Sequence, residues 1–528
     1  MGIYLNPGSD KFRMSCNAQI YVDKSDLISK LNPLIETEDR YVCISRPRRF
    51  GKTMAANMLS AYYTCDEDTR YLFDNLKIAS NNSYLDHLNK HMVLQLNMQS
   101  FLSENNSVEE MLMDLQQEVI AELEEYFPNV VGQTGSLPRV LEKIYAKTKQ
   151  TFIILIDEWD CLFREYKHDT DAQKQYLDFL RNWLKDRAYV GLAYMTGILP
   201  IKKYGSHSAL NMFNEFSMVS SGNLTEYFGF TEDEVQKLCS QYHMNFEDAK
   251  TRYDGYSLML RDQKYEQEVS MYSPKSIVEA MKRNTFDTYW NQTETYEALQ
   301  IYIRMNFDGL KDAVIAMLAG GQVPVNISKF TNDMTSLNSK DDVLTLLIHL
   351  GYLAYDERKG MVRIPNKEVA KEYVNAIEDT DGWNSIAKAV KDSKQLLEAL
   401  WNMNADEVAA GVERMHQDVS ILQYNDENAL SYTIGLAFYY AREYYTIVRE
   451  LPAGKGYADV CFIPRKAYAD KPALLIELKW DKSAETALAQ IKEKRYPDAL
   501  EEYAGNLIVA GIIYDKEKKR HECLIEKM

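Results

Sequence analysis

At 528 residues the chain is too long for one hydrophobic core, and ordinary domain sizes imply roughly three to four domains. Its 46% hydrophobic and 26% charged residues, with only 13 Pro and 23 Gly and no long low-complexity or Gly/Ser stretch, exclude a mainly disordered or fibrous protein. A formal net charge of -17 sets the average surface against nucleic acid, so any such partner must meet a local basic patch or cations recruited by carboxylates.

Residues 1–12 are polar, without the apolar core of a signal peptide, and no run of about 18 apolar residues occurs, so the expected location is the cytoplasm with no membrane partner. The 7 cysteines (Cys16, Cys43, Cys65, Cys161, Cys239, Cys461, Cys523) are scattered and never spaced CxxC. That argues against a disulfide framework and a zinc site, and most are expected to be reduced core residues.

Short apolar runs alternate with helical patterns through the first half, as in an α/β unit built on a mostly parallel sheet. Strands are predicted at 41–45, 92–97, 152–157 and 190–196, with a fainter signal at 216–220. Helices are predicted over 54–63, 107–127 and 171–187, where apolar residues recur three and four apart.

The first strand runs into Arg46-Pro-Arg-Arg-Phe-Gly-Lys-Thr53 and then a helix. Gly51, Lys52 and Thr53 form the second half of a P-loop: backbone N–H groups to wrap phosphates, a Lys for the β/γ oxygens and a hydroxyl for Mg²⁺. Arg46 stands where the first Gly is expected, and the competing reading is a basic turn capping a helix. The apolar run Phe152-Ile-Ile-Leu-Ile-Asp-Glu158 ends in two acids, at the carboxyl end of a buried strand where α/β sheets bind ligands. Asp157 is expected to hold Mg²⁺ through water and Glu158 to orient the attacking water. A strand at 92–97 lies between the two motifs in sequence, which fits the ATPase class with an extra strand inserted beside the P-loop strand. Thr196, ending the 190–196 strand, is the candidate for sensing the γ-phosphate, with an ordinary strand-end Thr as the alternative.

From about 296 the strand signal fades and helices dominate. A helix at 341–350, a hairpin of 352–355 with 361–364, and a helix at 367–377 suggest a small winged-helix unit. Its mixed charges (Asp341, Asp342, Glu357, Arg358, Lys359, Glu368, Lys371, Glu372) favour a structural adaptor over a DNA reader. Three domains are expected: 1–295, 296–404 and 405–528.

The last of these reads as helix 427–444, strands 445–450, 458–463 and 473–480, helix 483–493 and strand 507–514. If the two strands flanking the 464–472 turn form a hairpin centred on Tyr468, Asp459 and Glu477 lie directly opposite each other. The period of two sets Leu475, Glu477 and Lys479 on one face and Leu474, Ile476, Leu478 and Trp480 on the other. Two facing carboxylates repel unless a cation lies between them, and hard Mg²⁺ suits oxygen ligands better than zinc does. Lys479 would position the nucleophile or neutralise the transition state. The competing reading is a cross-strand salt bridge.

The segments Tyr21-Val-Asp-Lys24, Arg46 to Thr53, Ile156-Asp-Glu-Trp-Asp160, Thr196-Gly197, Phe228-Gly-Phe-Thr231 and Tyr253-Asp-Gly-Tyr256 together resemble, over essentially the whole chain, the bacterial AAA-ATPase-like family fused to a PD-(D/E)XK nuclease domain. The resemblance implies that Arg46, Pro47, Arg48, Arg49, Phe50, Gly51, Lys52 and Thr53 are the family's own form of the nucleotide loop. Asp459 with Glu477-Leu-Lys479 is similar to the D…ExK core of the nuclease. Gln490 and Tyr496 resemble the motif on its following helix, and Glu427 matches a further metal-side acid. The implied activity is ATP binding and hydrolysis coupled to a Mg²⁺-dependent nuclease acting on DNA or RNA. The alternative is a nucleotide-dependent switch that holds nucleic acid without cutting it.

Other features are given no catalytic role. The eight His are read as dispersed, without an i, i+4 pair, so neither a zinc hydrolase nor a His-based triad is expected. The aromatic stretch 438–445 is read as packing and the Gly454-Lys-Gly456 loop as a tight turn. A homo-oligomer is left open, as is an arginine finger, for which neither Arg181 nor Arg187 is singled out.

Overall fold

The computed structural model describes residues 2–128, 130, 135–201, 210–262, 265–290, 295–305, 307–330, 337–418, 427–453, 456–480, 484–493, 500, 503, 505–515 and 520–528. The chain divides into two compact units, Met1–Gln292 with Pro324–Glu368, and Thr293–Val323 with Val369–Met528. The stretch 296–404 is therefore shared between them.

In the first unit a five-stranded parallel sheet runs in the order β2-β3-β4-β1-β5, with β1 Tyr41–Ser45, β2 Met92–Asn97, β3 Phe152–Asp157, β4 Val190–Gly197 and β5 Asn214–Phe216. Every residue of β1, β3 and β4 is buried, which is why these strands read as continuous apolar runs rather than alternating ones. Helices Lys52–Tyr63, Val108–Tyr126, Leu137–Thr148 and Thr170–Leu184 supply the crossovers that parallel strands require. Leu59, Tyr62 and Tyr63 of the first pack with Val42, Ile44, Ile153, Leu155 and Tyr194 in one core.

One expectation is refined and one corrected here. A strand does stand between the P-loop strand β1 and β3, but it is β4, with β5 on the other flank of β1, whereas β2 lies on the far side of β3. Long crossovers free strand order from sequence order, so proximity along the chain could not decide it. The faint signal at 216–220 is not a strand: β5 is Asn214–Phe216, and Ser217 N–H turns back to the Ser220 carbonyl at 2.8 Å.

A second sheet, β6-β8-β7, joins β6 Phe230–Thr231 to the antiparallel hairpin of β7 Tyr256–Asp262 and β8 Tyr265–Tyr272. After the short β9, Val323–Pro324, come helix Lys340–Leu350, the hairpin of β10 Ala354–Asp356 with β11 Met361–Arg363, and helix Lys367–Glu378. This is the element order expected of a winged helix.

In the second unit the sheet order is β12-β13-β14-β15-β16, with β12 Tyr445–Ala453, β13 Gly456–Pro464, β14 Ala473–Trp480, β15 Leu507–Asp515 and β16 Arg520–Lys527. All its pairs are antiparallel except β14 with β15, which are joined through helix Ala484–Glu493. Ala473, Leu475, Leu488, Ile491 and Val509 form its core. The 438–445 stretch serves packing: Phe438 is buried edge-on to Phe462 at 6.0 Å, and Tyr444 lies 5.3 Å from Trp401. Among the described residues no helix is long and apolar enough to cross a membrane.

Candidate functional site

β1 ends at Ser45 and helix Lys52–Tyr63 begins after six intervening residues, so the whole loop is a strand-to-helix turn. Arg49 (φ +67°) and Gly51 (φ +88°) both take left-handed conformations, curling the backbone so that the unbonded N–H groups of the helix N-terminus face the loop. Lys52 is buried and its Nζ donates to the carbonyls of Arg46 and Pro47, both at 2.9 Å. Burial pulls its pKa down, while Glu158, Asp160 and Asp157 pull it up.

The Arg46 side chain is fully buried, donating to the carbonyls of Ser45 at 3.2 Å and Phe216 at 3.1 Å. Its Nε and second terminal nitrogen make no hydrogen bond, and burial lowers its pKa to about 10. It braces the loop from below. Pro47 and Phe50 are buried, Arg48 and Arg49 are half-buried. The Phe50 carbonyl is held by the Gly229 N–H at 3.1 Å and its ring meets Tyr256 edge-on at 5.6 Å. The quoted segments Phe228 to Thr231 and Tyr253 to Tyr256 are thus loop supports.

Asp157, at the end of β3, gathers the site. Its Oδ2 accepts from Thr53 Oγ1 at 2.7 Å, and its Oδ1 accepts from Thr196 Oγ1 and from the Glu158 N–H at 3.1 Å. Glu158 itself is left-handed (φ +55°), a conformation that costs a non-glycine residue of order 1–3 kcal/mol and recurs at functional sites. Its carboxylate is tied to Arg164, whose Nε also lies 3.4 Å from Asp160. Asp160, with no exposed surface, accepts from the N–H groups of Ile198 at 3.0 Å and Leu199 at 2.8 Å and so fixes the chain leaving β4. Gly197 is small for a local reason: a Cβ there would lie 2.6 Å from Trp159 Nε1. Sequence reasoning missed Arg164, whose only signal was its i, i+4 spacing from Asp160.

In the second unit β13 and β14 pair Val460 with Ile476, Cys461 with Leu475 and Phe462 with Leu474, the register of a hairpin centred on 468. Asp459 therefore meets Glu477 as expected. Asp459 Oδ2 accepts from the Leu478 N–H at 2.7 Å. Glu477 has no exposed surface; its Oε1 accepts from Lys479 Nζ at 2.8 Å and from Gln490 Nε2, while its Oε2 is buried with no hydrogen bond. Lys479 also lies 3.9 Å from Asp459. Burial, and next the charge of Asp459, push the Glu477 pKa up to about 7 against the pull of Lys479. A buried carboxylate oxygen without a donor, beside a second carboxylate, could hold a hard divalent cation. Glu427 opens helix Glu427–Ala437, but its side chain lies outside the described residues, as do Tyr496, Gly454 and Lys455.

Histidine needs one correction: His87 and His91 are an i, i+4 pair, stacked with Nδ1 and Nε2 3.0 Å apart.

Two family models match parts of the chain that carry these sites. Residues 8–206 match the model of the predicted AAA-ATPase family, and residues 426–523 match that of the PD-(D/E)XK nuclease superfamily. The chain joins an AAA-ATPase domain to a PD-(D/E)XK nuclease-superfamily domain. The AAA-ATPase domain holds Lys52, Thr53, Asp157 and Thr196, and the nuclease-superfamily domain holds Asp459, Glu477, Lys479 and Gln490. The "Uncharacterized protein in vnfD 5'region" of Azotobacter chroococcum mcd 1 is 24% identical over 288 residues, 52% of this chain and 51% of that protein. The chain thus spans about half the length of the curated relative it matches. Among solved structures, the Aeropyrum pernix ORC2 protein overlaps 70% of this AAA-ATPase fusion and 91% of its own chain at 9% identity and TM-score 0.28. Cdc6p from Pyrobaculum aerophilum overlaps 70% and 97% at 8% identity and TM-score 0.24. These overlaps are too loose to add to the strand order.

Proposed function

We propose that the AAA-ATPase domain binds and hydrolyses ATP with Mg²⁺, and that this turnover governs a Mg²⁺-dependent phosphodiesterase in the nuclease-superfamily domain acting on DNA or RNA. The observation that carries the reading is Glu477, a carboxylate buried beside Asp459 with an oxygen that no protein group satisfies. Burial and Asp459 raise the cost of that charge beyond what Lys479 offsets, and a bound cation would relieve it.

In the nucleotide site, the backbone N–H groups between Arg46 and Thr53 wrap the phosphates. Lys52 exchanges the carbonyls of Arg46 and Pro47 for β/γ oxygens. Thr53 and Asp157 are the residues to hold Mg²⁺, Thr196 contacts the γ-phosphate side, and Glu158 orients the attacking water once Arg164 releases it. In the nuclease site Asp459, Glu477 and Glu427 are the residues to hold Mg²⁺, which when bound supplies an activated water and charge stabilisation at the phosphate. Lys479 offsets the charge of the transition state, and Gln490 fixes the Glu477 carboxylate through Oε1.

The test is incubation of the purified protein with plasmid and Mg²⁺, with and without ATP, beside Asp459→Ala, Lys479→Ala and Lys52→Ala. Cleavage is expected from the parent protein and absent from the first two variants. ATP turnover is expected to fall about 10²–10³-fold in Lys52→Ala, the loss that follows removal of one transition-state donor. Cleavage that survives both nuclease-site substitutions removes that site from the proposal, and unchanged ATP turnover in Lys52→Ala removes the P-loop.

A further inference from the structure

The nuclease-superfamily domain gathers a second set of metal-ligating side chains, on elements other than those that carry Asp459 and Glu477. Glu413 and His416 are three residues apart on helix Ala405–Asp418, a spacing that sets both on one face. His521 is the second residue of β16, opposite Tyr514 of β15. One ligand atom from each of Glu413, His416 and His521 lies within 4.8 Å of the other two. The two imidazole rings are 5.4 Å apart, and each lies 5.0 Å from the Tyr514 ring. His521 is buried, the other two half-buried.

We propose that Glu413, His416 and His521 form a binding site for a divalent transition metal of the zinc class, which pins the terminal strand β16 to helix Ala405–Asp418.

The donor chemistry selects the ion. Two imidazoles and one carboxylate suit Zn²⁺ or Co²⁺, whereas the oxygen set of Asp459 and Glu477 suits Mg²⁺, so the two sites sort different metals. Three protein ligands leave the fourth tetrahedral position to water. At present the Glu413 Oε2 accepts from the backbone N–H of His521 at 3.0 Å and lies 2.6 Å from its Nδ1. That pairing joins Glu413 to His521, and His416 stands within the same radius of both. The consequence is mechanical. β16 is an edge strand bonded to β15, which is bonded to the strand bearing Glu477 and Lys479, and a metal stapling the edge lends its binding free energy to the sheet. The inference stands whether or not Asp459 and Glu477 are catalytic.

The test uses the full chain stripped with a chelator and held in excess Mg²⁺ to occupy oxygen sites. Titrated with Co²⁺, it is expected to take one equivalent with the intense visible bands of tetrahedral cobalt, bleached by Zn²⁺. Those bands are expected to persist in Glu477→Gln. In His416→Gln and Glu413→Gln, affinity is expected to fall on the order of 10–100-fold or more, the loss that even an outer-shell change produces. Zn²⁺ is expected to raise the thermal midpoint of the parent protein and not of His416→Gln. Absence of the bands in the parent protein overturns the proposal without reference to any variant. Bands that survive His416→Gln, or vanish in Glu477→Gln, overturn it by placing the ion elsewhere.

Discussion

Glu477 shows how a single residue can be chosen against stability. Its carboxylate has no exposed surface, Asp459 faces it, and its proton affinity is raised to about 7 by burial first and Asp459 second. Because the folded-state value lies above the ordinary 4.5, folding favours the protonated form. Stability is therefore fully present below about 4.5 and is lost as pH rises through about 7. Glu477→Gln keeps an acceptor for Lys479 and Gln490 while removing the buried charge. At pH 8, without metal, we expect it to stabilise the second unit by on the order of 2 kcal/mol. Its midpoint should rise by about 4–8 °C. The gain should shrink toward nothing at pH 5, and nuclease activity should be lost. Calorimetry at the two pH values checks this, and a lower midpoint at pH 8 would mean that the ion pair with Lys479 outweighs burial. The Asp459 and Glu477 pair was legible in the sequence because hairpin register is arithmetic: positions equidistant from 468 must meet. Arg164 was not legible, since its role depends on the left-handed turn at Glu158, which no local pattern announces.

Elements are held by contacts as specific as those of residues, and two glycines separate the reasons. Gly255, in the turn before β7, has φ +149°, and a Cβ there would lie 1.8 Å from the Pro365 carbonyl oxygen, at the end of the hairpin β10–β11 segment. Gly360, in that hairpin's own turn, has φ +64° with open space around the position. Gly255→Ala must therefore push two backbones apart, and we expect a loss of about 3 kcal/mol or more. Gly360→Ala bears only the left-handed penalty, about 1–2 kcal/mol. Chemical unfolding of the two variants in parallel checks the ranking, and equal losses would show that the close approach at Pro365 is not what holds the segment. The same contrast explains which elements the sequence declared. β1, β3 and β4 are buried on both faces and so read as apolar runs. β8 exposes its first four residues, and β16 is a charged edge strand, so neither carries the periodicity that marks a half-buried strand.

At the scale of the whole chain, the two families and their order were legible because their motifs are local. The spatial grouping was not, because it rests on contacts between distant segments. A cut at 295 follows the fading strand signal, yet the first compact unit takes back Pro324–Glu368. The return is built on polar and apolar contacts together. Glu368 is buried and accepts from Ser276 Oγ at 2.7 Å, from the Trp290 N–H at 2.8 Å and from the Tyr289 N–H. Tyr256 Oη donates to the Gly351 carbonyl at 2.6 Å. The Tyr256 ring lies against Phe50 of the nucleotide loop, so removing 324–368 strips support from the loop as well as from the core. Each buried donor left without its acceptor costs about 1–3 kcal/mol, before any exposed apolar surface is counted. Residues 1–292 alone are therefore expected to lack a cooperative thermal transition. The same residues joined to 324–368 through a Gly/Ser linker as long as the replaced 293–323 should melt cooperatively and gain stability with Mg²⁺ and ATP. Scanning calorimetry of the two fragments decides it: if residues 1–292 melt as sharply and at the same temperature, 324–368 is an appendage and not part of the ATPase fold.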